Sequence, residues 1–316
     1  MKTEFEDHFS NFEKVIDELC ALSDQKIVHF IDRITMPLKI ERASKEEVKR
    51  LFSRRTEKRY AKYFLKFSTH FTLNNEDAEQ MPVFLAAHIT QATVTHLLIY
   101  LNLAKPGAFD SRQGIVIKDF RFDTEEKTEK DSFPPLVNSI HLSFDLMKQY
   151  KWPQLVELKI EDTLKWLDKH WEAFNAAPTN RIERALNAFS YLFHETLADN
   201  SPSDLFFSLV GIEAMFVEGN ESVQKQVNIK TQLLLGKRTE FKKKFGDLYE
   251  FRSRYVHGQL NFINKYYVRD ADDKVQSHMF ETHDNSYFAI LILIASIQKH
   301  ILLDKDSLEF EFVLKK

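Results

Sequence analysis

The sequence predicts a mainly α protein, with an α+β N-terminal domain over residues 1–154 and a helical bundle over residues 155–316. Three observations carry that reading. The 316 residues include only 7 Gly and 8 Pro but 28 Phe, so chain breakers are scarce and the core is aromatic. Beyond Pro153, apolar residues recur at threes and fours almost to the end, the period of a helix with one buried face. Before it, residues 93–103 and 114–122 are rich in Val, Ile, Thr, Phe and Tyr, which reads as two strands of a hairpin with a long connection.

Taken in order, Phe5, Phe9, Phe12, Val15, Ile16 and Leu19 make a helical pattern over residues 4–33. Ser44 with Glu47 is a capping-box signal for a second helix, expected to run to about Phe67. This stretch is the most basic of the chain, from Lys45 and Lys49 through Arg54, Arg55 and Lys62 to Lys66, with Tyr60, Tyr63 and Phe64 interleaved near its end. It is either a phosphate-contacting surface with aromatic platforms or a solvated helix face whose rings point inward. The polar residues 123–135, ending in Pro134-Pro135, read as an exposed loop.

Five helices are expected next: 161–174, 179–198, 203–217 behind Ser201-Pro202, one capped by Asn220 and ending at Gly236, and one ending at Gly258. A loop over 259–281 and a last apolar helix over 282–303 follow. The tail 307–316 alternates Leu308, Phe310, Phe312 and Leu314 like a strand.

Net charge is −3, so no global basic field marks a nucleic-acid binder. Cys20 is the only cysteine, which leaves no intrachain disulfide and no cysteine-based zinc site. Met1 is followed by charged residues, without the apolar core of a secretory signal. The longest apolar run, 287–297, is too short to span a bilayer. A cytoplasmic protein that does not enter membranes is expected. Asp270, Asp272 and Asp273 lack the glycine and distal Glu of a calcium loop. His278 and His283 lack a metalloprotease spacing. No metal or cofactor is expected.

The chemistry concentrates in residues 248–258. Leu248, Phe251 and Tyr255 lie on one helical face, and Gly258 suits the left-handed conformation that ends a helix. His257 sits in the last turn, where the helix dipole favours imidazolium and modest shifts set its charge near neutral pH. Arg252 lies five residues earlier, about 140° around an ideal helix, and reaches the imidazole if the last turn loosens. The spacing alone also fits a capping histidine beside an ordinary arginine salt bridge.

Three blocks in order narrow this: Gly211-Ile212-Glu213-Ala214-Met215-Phe216-Val217, then Leu233-Leu234-Leu235-Gly236-Lys237-Arg238, then Leu248-Tyr249-Glu250-Phe251-Arg252-Ser253-Arg254-Tyr255-Val256-His257-Gly258. Together they resemble the HEPN superfamily, most closely its ApeA-like branch, over roughly residues 160–303. The resemblance implies a helical bundle that forms a homodimer and brings two Arg-x4–6-His motifs into one cleft. It also implies a metal-independent endoribonuclease, of a kind found in toxin and anti-phage defence systems, or a catalytically silent relative that binds RNA, nucleotide or a protein partner. By position, His257 is the catalytic histidine, Arg252 its partner and Ser253 the polar residue that follows. Glu213 orients Arg252 or His257, or forms a buried ion pair. Arg254, Lys237 and Arg238 are candidate RNA contacts. The N-terminal domain is a candidate sensor for a phage or cellular trigger.

Overall fold

A computed structural model describes residues 12–22, 29–30, 34–35, 38–51, 65–69, 83–109, 111, 114–122, 125–170, 178–194, 202–261 and 273–310. The expected helix ahead of Phe12, the residues Tyr60, Tyr63 and Phe64, the acidic Asp270 and Asp272, and the tail beyond Phe310 lie outside these residues. The chain is mostly helical and divides into two compact units: residues 1–98 with 112–134, and residues 99–111 with 135–316. The division falls within one helix and near residue 134. Residues 99–111 and 135–154 therefore belong with the helical unit, where the Leu158 amide donates to Ala104 O and Gln298 Nε2 donates to Leu103 O and Val156 O.

The first unit contains helix α1 (Phe12–Cys20), the short strands β1 (His29–Phe30) and β2 (Ile34–Thr35), strand β3 (Leu38–Arg42), helix α2 (Lys45–Leu51) and strand β4 (Leu65–Thr69). It also holds most of helix α3 (Val83–Ala104) and strands β5 (Gly114–Phe122) and β6 (Glu125–Phe133). All strand pairs are antiparallel. Leu38 and Ile40 of β3 turn inward with Val15, Ile16 and Leu19 of α1, while Lys39 and Glu41 face out and pair with each other at 2.7 Å. The alternation is that of a half-buried strand.

The capping box forms as expected. The Ser44 amide donates to Glu47 Oε2 at 2.9 Å, and the Glu47 amide donates to Ser44 Oγ at 3.2 Å. The first of these bonds, then Lys66, hold the Glu47 carboxyl down at about 2. Three expectations for this unit are corrected. The helix begun at Lys45 does not reach Phe67, because residues 65–69 pair with β3 from Leu38↔Thr69 to Arg42↔Leu65. Residues 93–103 are helical rather than extended. Their near-continuous apolar run is shared by a buried strand and an all-round buried helix, and periodicity alone does not separate the two. Here Leu97, Leu98, Leu101 and Leu103 are all buried, and Thr93 Oγ1 donates to the carbonyl of Ile89 one turn back. Residues 125–133 are a strand instead of a loop. Cross-strand charge supplies what the apolar pattern lacks: Lys118 on β5 reaches Asp131 at 2.6 Å on β6.

The second unit is organised around helix α10 (Asp273–Leu303), whose residues Phe288–Ile297 are all buried. It starts nine residues earlier than the expected Thr282. By length and composition it could cross a membrane, which corrects the expectation of too short an apolar run, but 78% of its apolar window is buried inside the protein. Against it pack helices α4 (Ser143–Tyr150), α5 (Ile160–Asp168), α6 (Arg181–Ser190), α7 (Ser203–Phe216), α8 (Val223–Leu235) and α9 (Lys244–Val256). Helix α6 stops at Ser190 rather than running on, and Phe193–His194 (β8) pair with Val137–Asn138 (β7); residues 195–198 of the expected helix lie outside the described residues. His194 Nε2 there meets Asp204 Oδ1 at 2.6 Å, and Ser139 Oγ donates to the other Asp204 oxygen. Helix α8 is capped by Ser222, whose side chain accepts from the Lys225 amide, rather than by Asn220. It ends at Gly236, as expected.

Candidate functional site

Two helices of the second unit build the candidate site. Helix α7 buries Leu205, Leu209, Ile212 and Phe216, which leaves Glu213 at the edge of its exposed face. Helix α9 buries Phe245, Leu248, Tyr249, Phe251 and Tyr255 and turns Arg252 and Ser253 outward. Arg252 Nη2 reaches Glu213 Oε2 at 3.4 Å, with the arginine side chain 36% and the glutamate 21% exposed. The contact is long for a charge-assisted hydrogen bond, so it orients the guanidinium without consuming its donors. The pair joins two of the three sequence blocks.

Burial pushes the Glu213 carboxyl up, and the Arg252 charge only partly offsets it. Its second oxygen, Oε1, is enclosed and has no hydrogen-bond partner among the described residues; neither has the hydroxyl of Tyr249. Tyr249 is driven far up, first by burial and then by the negative charge of Glu213. The sequence gives Tyr249 no role of its own. It sits three residues before Arg252, on the buried side of the same turn, and its spacing was the only available signal.

The raised carboxyl gives a signed expectation. The folded chain holds the Glu213 proton to higher pH than the unfolded chain, so its contribution to stability is present below the ordinary carboxyl range and is lost as pH rises through the folded value. Glu213→Gln is expected to flatten that fall, leaving the variant at least as stable as the wild type at neutral pH while freeing Arg252. Urea melts of both chains from acid to neutral pH check this, and a neutral-pH loss of more than about 2 kcal/mol, a substantial fraction of a domain's stability, would contradict it.

Helix α9 ends in a Schellman motif. The Gly258 amide donates to Tyr255 O and the Gln259 amide to Arg254 O, with Gly258 at φ 69°. His257 is the C-cap residue. Its amide donates to Ser253 O at 3.0 Å, and its imidazole is exposed, with no hydrogen bond or ion pair among the described residues. The structure thus brings Glu213 and Arg252 together and leaves His257 and Ser253 open to solvent on the same helix end.

The candidate RNA contacts separate. Lys237 is exposed. Arg254 borders an open groove of about 580 Å³ with Lys274, His278 and Glu281. Arg238 is only 6% exposed, its guanidinium lying between the rings of Trp152 and Phe245 at 5.1 and 5.0 Å and donating to Asn228 Oδ1. It holds the segment after α8 in place and is not presented to a ligand. His278 stacks on Tyr255 and shares a hydrogen bond with its hydroxyl. Among the described residues no three His, Cys, Asp or Glu side chains converge on a metal position.

Fold and site together define a helical bundle in which an acidic residue on one helix meets an arginine on another, with an exposed histidine at the end of the arginine's helix. No family model matches the chain, and neither the curated proteins nor the solved structures contain a significant match.

Proposed function

We propose that the second unit is a HEPN-type module and that the protein is a metal-independent endoribonuclease acting as a homodimer. The observation that supports this best is the Glu213–Arg252 pair, which joins two motifs far apart in sequence and leaves the guanidinium half-exposed near the His257 turn. Cleaving RNA without a metal needs a base for the 2′-hydroxyl, an acid for the leaving 5′-oxygen and a cation for the charge that builds on phosphorus. Arg252 stays charged and offers a planar fork to phosphate oxygens. His257, exposed at the end of α9, is the residue type that serves as acid or base in such a step. One chain supplies one of each, and a two-fold dimer would supply the second acid–base group. A place in toxin or anti-phage defence, with a trigger read by the N-terminal unit, follows from the HEPN resemblance alone.

A second reading, a silent module that binds RNA, nucleotide or a protein, is favoured by one observation: no described residue orients the His257 imidazole. EDTA-treated wild-type protein incubated with total and transfer RNA separates the two. The nuclease is expected to leave 2′,3′-cyclic phosphate and 5′-hydroxyl ends and to spare DNA. Products with 3′-hydroxyl ends, or equal cleavage of DNA, would rule out attack by the 2′-hydroxyl.

A further inference from the structure

The exposed face of α7 carries a feature that the catalytic residues do not use. Phe206 and Val210 are 53% and 41% exposed, four residues apart, and Glu213 follows them on the same stripe. Tyr191 at the end of α6 is 54% exposed and lies parallel to Phe207, with centroids 4.4 Å apart and planes at 14°. Phe206 meets Phe207 edge-on at 5.6 Å. Two large rings therefore stand more than half in water, propped by a third. Apolar clusters of this kind on a surface mark an interaction site more often than scattered single residues do.

The surroundings of the rings say which class of partner they suit. Helices α6 and α7 run against each other so closely that a Cβ at Gly211 would lie 3.2 Å from Ala188 Cβ. The Tyr191–Phe207 stack joins the same two helices at the end of α6. On α6, Arg184 lies seven residues before Tyr191 on the same stripe; it is exposed and has no ion-pair partner among the described residues. On α7, Phe206 lies seven residues before Glu213, about 10.5 Å along the axis at 1.5 Å per residue. On α6 a ring and a guanidinium group stand about two turns apart, and on α7 a ring stands about two turns from the Glu213–Arg252 pair, a spacing that matches a chain alternating flat bases with phosphates. A purely apolar partner would leave Arg184 without a counter-charge.

We infer that Tyr191 and Phe206 form a stacking platform for a base of single-stranded RNA, with Arg184 taking a neighbouring phosphate, and that the platform feeds the strand toward Arg252. This deepens the endoribonuclease reading and rests on it for the choice of sugar. Base–aromatic stacking tolerates any base, so the platform confers a preference for unpaired strands rather than for a sequence.

The test titrates the full-length protein with a short fluorescent oligoadenylate carrying 2′-O-methyl sugars, which has no 2′-hydroxyl to react. Tyr191→Ser and Phe206→Leu are each expected to weaken binding by about 10-fold with the salt dependence unchanged, since a base stacked on a ring is lost but no charge. Tyr191→Phe keeps the ring and should bind like wild type. Arg184→Ala should weaken binding and lower the salt slope by about one. No binding by the wild type overturns the inference. So does unchanged binding by Tyr191→Ser and Phe206→Leu, including the case in which they shift a dimer to monomer in sedimentation, which would assign the rings to a subunit interface. Because the oligomer cannot be cleaved, the titration reads the platform independently of Arg252 and His257, and either result stands without the other.

Discussion

His257→Ala is expected to lower RNA cleavage by on the order of 10²- to 10⁴-fold, the usual contribution of a positioned acid–base group, without changing the melting of the protein. The separation of the two effects follows from where the residue sits. Its side chain is exposed and has no hydrogen bond or ion pair among the described residues, while the turn it occupies is closed by backbone bonds from Gly258 and Gln259 that alanine leaves intact. Substitutions at such positions usually stay within about 0.5 kcal/mol. Arg252→Ala should fall by a similar factor, because a cation aimed at developing phosphate charge is worth on the order of 10²- to 10³-fold. Cleavage rates and thermal melts of wild type and both variants, in EDTA, supply the comparison. Equal rates in all three would remove Arg252 and His257 from the chemistry. A loss of rate matched by a loss of folded protein would make them structural.

What the sequence revealed and what it concealed both have physical causes. Helix α9 and its glycine stop were legible because Leu248, Phe251, Tyr255 and Gly258 combine burial period with a conformation that glycine takes most easily; the Schellman bonds are the realised form. The Ser44–Glu47 box was legible for the same reason, a local signal with a local partner. Residues 93–103 were misread because a run with no polar face has no period to read. Residues 125–133 were misread because their partner on β5 is needed before Lys118 and Asp131 make sense together. At the site, the resemblance leaves Glu213 to orient Arg252 or His257 or to form a buried ion pair, and only the packing of α7 against α9 shows that its partner is Arg252. The enclosure of Arg238 by Trp152 was not foreseeable, since it depends on how residues 150–153 cross the segment after α8.

Gly211→Val is expected to destabilise the protein by about 2–3 kcal/mol, the upper part of the usual cost of overfilling a packed core. Gly211 lies in the middle of α7 with φ in the ordinary helical range, so its reason is space rather than conformation. A Cβ there would stand 2.8 Å from Leu293 Cδ1 and 3.2 Å from Ala188 Cβ. Leu293 is fully buried in the middle of α10, and Ala188 has no side-chain torsion with which to retreat, so α7 itself must yield. For alanine the clash competes with a gain of up to about 1 kcal/mol, because glycine is a poor residue inside a helix. Valine adds two methyl groups to the same contact, and its stiff χ1 leaves few ways to turn them aside. Because Glu213 is two residues further along α7, the displacement should also lengthen its contact with Arg252, so that cleavage falls even under conditions where the variant stays folded. Urea titrations of wild type, Gly211→Ala and Gly211→Val, with rates measured well below the unfolding midpoint, test both halves. A valine variant as stable as wild type would show that α6, α7 and α10 are not packed this closely. A destabilised variant with full activity would show that the position of Glu213 is not what readies Arg252.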